Sequence, residues 1–63
     1  MLSNDDLHEW IVAFIADAEG RYGPVWEDAQ AAVEATTTFI DDNLHILEMA
    51  VEDAVDYWYM FQI

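Results

Sequence analysis

The stretch that decides the fold is Leu7–Ala18, which reads LHEWIVAFIADA. Its apolar residues recur at spacings of three and four, which places them on one face of an α-helix. These residues are Leu7, Trp10, Ile11, Phe14, Ile15 and Ala18. Ser3 or Asn4 suits the N-cap of this helix, and Gly20 follows the last periodic residue, as a C-cap glycine does. The pattern predicts a first helix over residues 4–19.

Two more helical patterns follow the loop over residues 20–23. Pro24 suits the first turn of a helix, and the apolar or small residues after it predict a second helix over residues 24–41. Asp41-Asp42-Asn43 indicates a turn and a fresh N-cap. A third helix is predicted over residues 43–61, on the stripe Leu44, Leu47, Val51, Ala54 or Val55, Trp58 and Phe61.

The second and third patterns are almost in phase, so one long bent helix is an alternative to two separate helices. Three helices of similar length close a core more economically. We therefore expect an all-α fold, a three-helix bundle, in a single domain over residues 1–63.

Charge and composition exclude several classes of function. Lys and Arg together number 1 against 14 Asp and Glu, a formal net charge of −13. Such a chain has no basic surface for phosphates, so we expect no direct contact with nucleic acid. Because 56% of the residues are apolar and 14% are aromatic, the chain should fold rather than remain disordered. It contains no Cys, which excludes disulfides and thiolate chemistry.

No targeting or membrane segment is expected. Residues 1–6 are acidic where a signal peptide would be basic. The longest apolar stretch, Trp10–Ala16, is far shorter than a bilayer span. We expect a cytoplasmic protein.

The positions of the acidic residues suggest a function. Six of them lie near predicted helix starts, where the macrodipole favours them: Asp5, Asp6, Glu27, Asp28, Asp41 and Asp42. Four others lie towards predicted helix ends, where it does not: Asp17, Glu19, Asp53 and Asp56. Glu48, Glu52 and Asp56 stack at i, i+4 and i+8 with no interspersed Lys, which destabilises a helix.

A row of carboxylates spaced by about 6 Å along a helix would imitate the regular charges of a nucleic-acid strand. With Asp41 in its first turn, the third helix would carry one stripe: Asp41, His45, Glu48, Glu52 and Asp56. The hypothesis is that this surface binds the basic groove of a nucleic-acid-binding protein. A generic solvated acidic face and adaptation to high salt are the alternatives.

The C-terminal segment over residues 57–63 is apolar nearly all round. Either Trp58 and Phe61 complete the core while the tyrosines cover its rim, or the segment forms an exposed patch for a homodimer or a partner. The candidate partner-binding residues are therefore Asp41, Glu48, Glu52, Asp53, Asp56, Glu34, Tyr57 and Tyr59.

Metal, cofactor and catalytic sites are not predicted, and we do not expect an enzyme. Asp42, His45 and Glu48 are spaced like ligands on adjacent turns, but such sites need matching ligands from several helices. A surface His among acids is the favoured interpretation. Arg21, the one cation, is expected to cap helix carbonyls or to bond Asp17 or Glu19, with a partner contact as the alternative.

In size, lysine-free acidity and helical pattern, the chain resembles the small phage-encoded DNA-mimic inhibitors, among them some anti-CRISPR proteins. The resemblance is compositional and covers the whole chain. It implies a target in the host cytoplasm with a basic nucleic-acid channel, such as a CRISPR effector complex, a nuclease or a nucleoid protein. The alternatives are a small interaction module, such as a homodimeric adaptor or an antitoxin-like protein, that uses the aromatic C-terminus, and a halophile protein of another role.

Overall fold

Three α-helices and a short 3-10 segment make up the structure, a computed structural model that describes residues 3–61. The elements are α1 (Asn4–Tyr22), α2 (Ala29–Asp42), the 3-10 segment (Leu44–Glu48) and α3 (Val51–Met60). No strand occurs within residues 3–61. The prediction of an all-α three-helix bundle is confirmed, whereas several predicted helix bounds are wrong.

Helix α1 begins at the predicted cap and ends later than predicted. The Ser3 hydroxyl accepts a hydrogen bond from the Asp6 amide at 3.2 Å. The helix continues through Gly20, and Gly23 is its C-cap, with φ 82° and an amide that donates to the Glu19 carbonyl. The prediction of Gly20 as the C-cap is wrong. A glycine inside a helix costs only about 1 kcal/mol, so the helix continues through Gly20, whereas the positive φ at position 23 favours a glycine there.

Helix α2 begins at Ala29 rather than at the predicted residue 24. Asp28 is its N-cap, and one carboxylate oxygen accepts a hydrogen bond from the Ala31 amide at 2.8 Å. A helix beginning at Pro24 would have Gly23 as its N-cap, which has no side-chain acceptor for the free amides of the first turn, and residues 24–28 remain in the connection. At the other end, the Asn43 side chain donates to the Phe39 carbonyl at 3.1 Å and closes the helix.

The predicted third helix over residues 43–61 is interrupted, and the alternative of one long bent helix is also wrong. Met49 and Ala50 are extended, with ψ of 156° and 147°, between the 3-10 segment and α3. Ile46 and Val55 are both fully buried. In a straight helix these two residues, nine apart at about 100° each, would face opposite sides. The break allows both side chains to reach one core.

The core lies where α1 packs against α2 and α3, and Phe14 is at its centre with no exposed surface. The Phe14 ring lies 5.4 Å from Trp10, 5.9 Å from Trp58 and 6.1 Å from Phe39, measured between centroids. None of the helices within residues 3–61 combines the length and the apolar character of a membrane span.

Candidate functional site

Nearly all of the negative charge lies on the surface. Every acidic residue except Asp17 is exposed, and Asp17 is half-buried. The helices project these carboxylates outward because the apolar stripe of each helix faces the core, which leaves the polar positions to solvent. The surface formed by residues 3–61 is therefore acidic on every helix.

The one cation of the sequence is bound by carboxylates from two helices. Arg21 Nη1 lies 2.6 Å from Asp56 Oδ1, and Arg21 Nε lies 3.1 Å from Asp17 Oδ2. Glu52 lies at 4.0 Å from Nη2, and the Tyr22 hydroxyl donates to the same Asp56 oxygen at 3.3 Å. The predicted bond to Asp17 is confirmed. The contacts with α3 were missed, because only the packing of α1 against α3 brings residues so distant in sequence together.

The electrostatics of this cluster favour the charged guanidinium. Desolvation by the neighbouring helix lowers the pKa of Arg21, but the carboxylates of Asp17 and Asp56 outweigh it and raise the pKa above its ordinary value. Arg21 also lies near both Glu52 and Asp56, whose mutual repulsion the sequence predicted. The cation offsets that repulsion.

The predicted single stripe of carboxylates does not exist as one helical row. Asp41 lies in the last turn of α2, Glu48 ends the 3-10 segment, and Glu52 lies in the first turn of α3. Because the chain bends at Asn43 and again at residues 49–50, these residues do not share a helical face. Only the pair Glu52 and Asp56 keeps the i, i+4 relation on one helix.

The candidate acids divide into smaller groups on separate elements. Glu34 and Asp41 are seven residues apart on α2 and therefore share one outward face, about 10 Å apart along the axis. Glu52 and Asp53 occupy the first turn of α3, where the macrodipole favours them, contrary to the prediction for Asp53.

Asp41 and Asp42 were predicted at a helix start, where the macrodipole would favour them, and this prediction is wrong. They end α2 rather than begin the next helix, so the macrodipole disfavours both carboxylates.

The aromatic C-terminal end is partly structural. Trp58 is buried, as predicted, but Phe61 is 61% exposed, so the prediction that it completes the core is wrong. Tyr59 is half-buried and stacks on Tyr22 with ring centroids 3.8 Å apart. The Tyr57 ring packs edge-on against His45 and Phe61. Both tyrosines cover the rim of the core.

The alternative of an exposed C-terminal patch included Met60 and Phe61, whereas the exposure of Leu44 was missed. Leu44 is 65% exposed and Met60 is 70% exposed, alongside Phe61. Leu44 fits the apolar stripe of a continuous helix, and the break before α3 is what leaves it in solvent. Gln62 and Ile63, which complete the apolar segment of the sequence, lie outside the described residues.

The ligand-like spacing of Asp42, His45 and Glu48 falls across two elements. Asp42 ends α2, whereas His45 and Glu48 belong to the 3-10 segment. Among the described residues, no group of three or more His, Asp or Glu side chains is arranged to hold a metal ion.

Comparisons of the chain with protein-family models, with curated proteins and with solved structures found no match.

Proposed function

We propose that this protein is an acidic inhibitor that occupies the basic nucleic-acid groove of a nucleic-acid-binding protein and competes with its DNA or RNA. The observation that carries the proposal is the sign of the exposed charge. The carboxylates on every helix are exposed, while the guanidinium of Arg21 is already paired with Asp17 and Asp56. A partner therefore meets negative charge on the surface formed by residues 3–61.

The amount of charge supports the comparison with nucleic acid. The long axis of the protein measures 30 Å. A duplex of that length carries about 18 phosphate charges, and a single strand about nine. The protein's formal net charge of −13 lies between these values. A groove that attracts nucleic acid would attract this surface with comparable strength, and chiefly through a faster association rate.

The target would be a CRISPR effector complex, a nuclease or a nucleoid protein in the host cell, and the contact residues would include Glu34, Asp41, Glu48 and Asp53. These carboxylates are exposed and lie outside the Arg21 cluster. Asp56, in contrast, supports the packing of α1 against α3, so its replacement would mix a folding effect with a binding effect.

A competition assay tests the proposal. A fluorescently labelled duplex is bound to a purified representative of each target class, and the protein is added as competitor. The triple variant Asp41→Asn, Glu48→Gln, Asp53→Asn should compete about tenfold more weakly, mainly through its association rate, and the difference should shrink as salt rises.

The matched control removes the same number of charges elsewhere, with Asp5→Asn, Asp6→Asn and Glu9→Gln. It should keep most of the inhibition. Equal losses for both triple variants would show that only net charge matters and would refute the proposed contact residues. If the unmodified protein displaced duplex from none of the three representatives, the proposed function would be refuted.

A second candidate function is a small helical interaction module, such as a homodimeric adaptor or an antitoxin-like protein. The observation that favours it is the exposure of three large apolar side chains in the C-terminal half of the sequence, Leu44, Met60 and Phe61. The affinity for a second copy or a partner bound through these apolar side chains would be largely insensitive to salt. Phe61→Ser should then weaken binding, while the acidic triple variant should not.

A further inference from the structure

We infer that the groove between α1 and the beginning of α2 is a docking site for a protein segment that presents an aliphatic side chain flanked by Lys or Arg. The groove has a volume of about 510 Å³. Its lining includes apolar and acidic side chains, and we call the apolar residues Val12, Ile15 and Val33 the floor and the acidic residues Glu19, Glu27 and Asp28 the edge. No residue of the aromatic C-terminal end is among its lining residues.

The apolar floor is accessible. Val12 is 49% exposed and Val33 is 36% exposed, on two different helices that face the same groove. Isolated exposed apolar side chains are ordinary, but two that converge on one concave surface form a place where a partner can bury apolar area. The half-buried Ile15 continues this surface towards the core.

The edge of the groove selects the charge of the occupant. Glu19 and Glu27 are exposed, and Asp28 holds the first turn of α2 through one carboxylate oxygen, at 2.8 Å from the Ala31 amide. A Lys or Arg side chain lays its methylene stem on apolar surface and keeps its charged head in water or against a carboxylate. The lining of the groove offers both kinds of surface.

The same charge excludes the other occupants. A second copy of this chain would bring its own net charge of −13 against the acidic edge, and nucleic acid and anionic lipid are repelled likewise. A basic protein segment is the occupant that complements both the floor and the edge. The inference rests on the proposed function for the source of this segment, which is the wall of the target's basic groove.

The experiment uses the full chain and an amphipathic Lys/Leu peptide of about 14 residues, or about four helical turns. Affinity is measured by titration calorimetry, and the binding site is mapped by amide chemical shifts. We expect shifts concentrated around residues 12–19 and 29–33. A peptide of the same composition in shuffled order keeps the charge but has no apolar face, and it should bind at least about tenfold more weakly.

Variants separate the floor from the edge. The pair Val12→Ala and Val33→Ala should weaken peptide binding about tenfold at any salt concentration, since it removes four methyl groups from the contact. The pair Glu19→Gln and Glu27→Gln should weaken binding by a similar factor at low salt and hardly at all at about 1 M salt. Alanine is a good helix former, so the valine variants should stay folded.

Two controls are matched to these variants. Val25→Ala removes an exposed valine outside the groove, and the pair Asp5→Asn and Glu9→Gln removes two charges elsewhere. Each should change the affinity less than about threefold. Equal binding of the shuffled peptide, equal losses in variants and controls, or shifts centred on Leu44 and Phe61 would overturn the inference.

The outcome is independent of the competition assay. If the unmodified protein fails to displace duplex but the peptide still maps to the groove, the proposed function fails and the docking site remains. If the valine pair competes with duplex and binds the peptide as well as the unmodified protein, the docking site is refuted and the electrostatic competition remains.

Discussion

Replacement of the two glycines by alanine should change the stability of the protein in opposite directions. Gly20 lies inside α1, and a methyl group built on it meets no atom within 4 Å. Gly20→Ala should therefore gain the difference in helix propensity, about 0.5–1 kcal/mol. Gly23 has equally open surroundings, but its φ of 82° with ψ of −170° lies in a region open only to glycine. Gly23→Ala should cost about 1–3 kcal/mol of backbone strain.

These values predict a clear separation in thermal melting. In a domain of this size, 1 kcal/mol corresponds to about 4–8 °C in Tm, so the two variants should melt about 10 °C apart, one on each side of the unmodified protein. Far-UV circular dichroism measures both the helix content and the Tm. Because neither methyl group meets a neighbour, packing does not contribute. A higher Tm for Gly23→Ala together with a lower Tm for Gly20→Ala would refute the reasoning and would indicate that α1 ends at Gly20.

Two further predictions concern polar side chains, the buried Thr36 and the ion-paired Arg21. Thr36 is buried and its hydroxyl has no hydrogen-bond partner among residues 3–61, so Thr36→Val should raise the free energy of unfolding in urea by about 1–2 kcal/mol. The control Thr37→Val, whose hydroxyl donates to the Val33 carbonyl at the surface, should give no such gain. Arg21→Gln should lower the Tm, and raising NaCl from about 20 mM to about 500 mM should recover part of the loss, because salt screens the carboxylates that Arg21 joins. A loss unchanged by salt would show that Arg21 acts through packing alone.

The sequence predicts those features that depend on local pattern. The apolar spacing in Leu7–Ala18 and the cap at Ser3 describe the start and the core-facing side of α1 correctly, because propensity, periodicity and capping agree there. The break before α3 is not predictable in this way. It depends on the burial of both Ile46 and Val55, which is a property of the assembled core.

The same division applies to the candidate surface. The sign of the charge follows from composition, and each exposed carboxylate is recognisable as such. The arrangement of the carboxylates on the surface does not follow from the sequence, because one continuous stripe would have required one continuous helix. The pairing of Arg21 with Asp56 joins residues 35 positions apart and depends on how α1 packs against α3. The sequence does indicate that Arg21 is paired, because it is the one Lys or Arg among 14 acidic residues.

The position of Arg21 also determines how readily trypsin can cleave the folded chain. Trypsin cleaves after Lys or Arg, and this sequence offers it one peptide bond, between Arg21 and Tyr22. That bond lies in the last turn of α1, and the arginine side chain that must enter the specificity pocket is held by carboxylates on two helices. Cleavage therefore requires the end of α1 to unwind and leave α3. The rate of a single cut, followed by mass, would report the free energy of that local opening without any label.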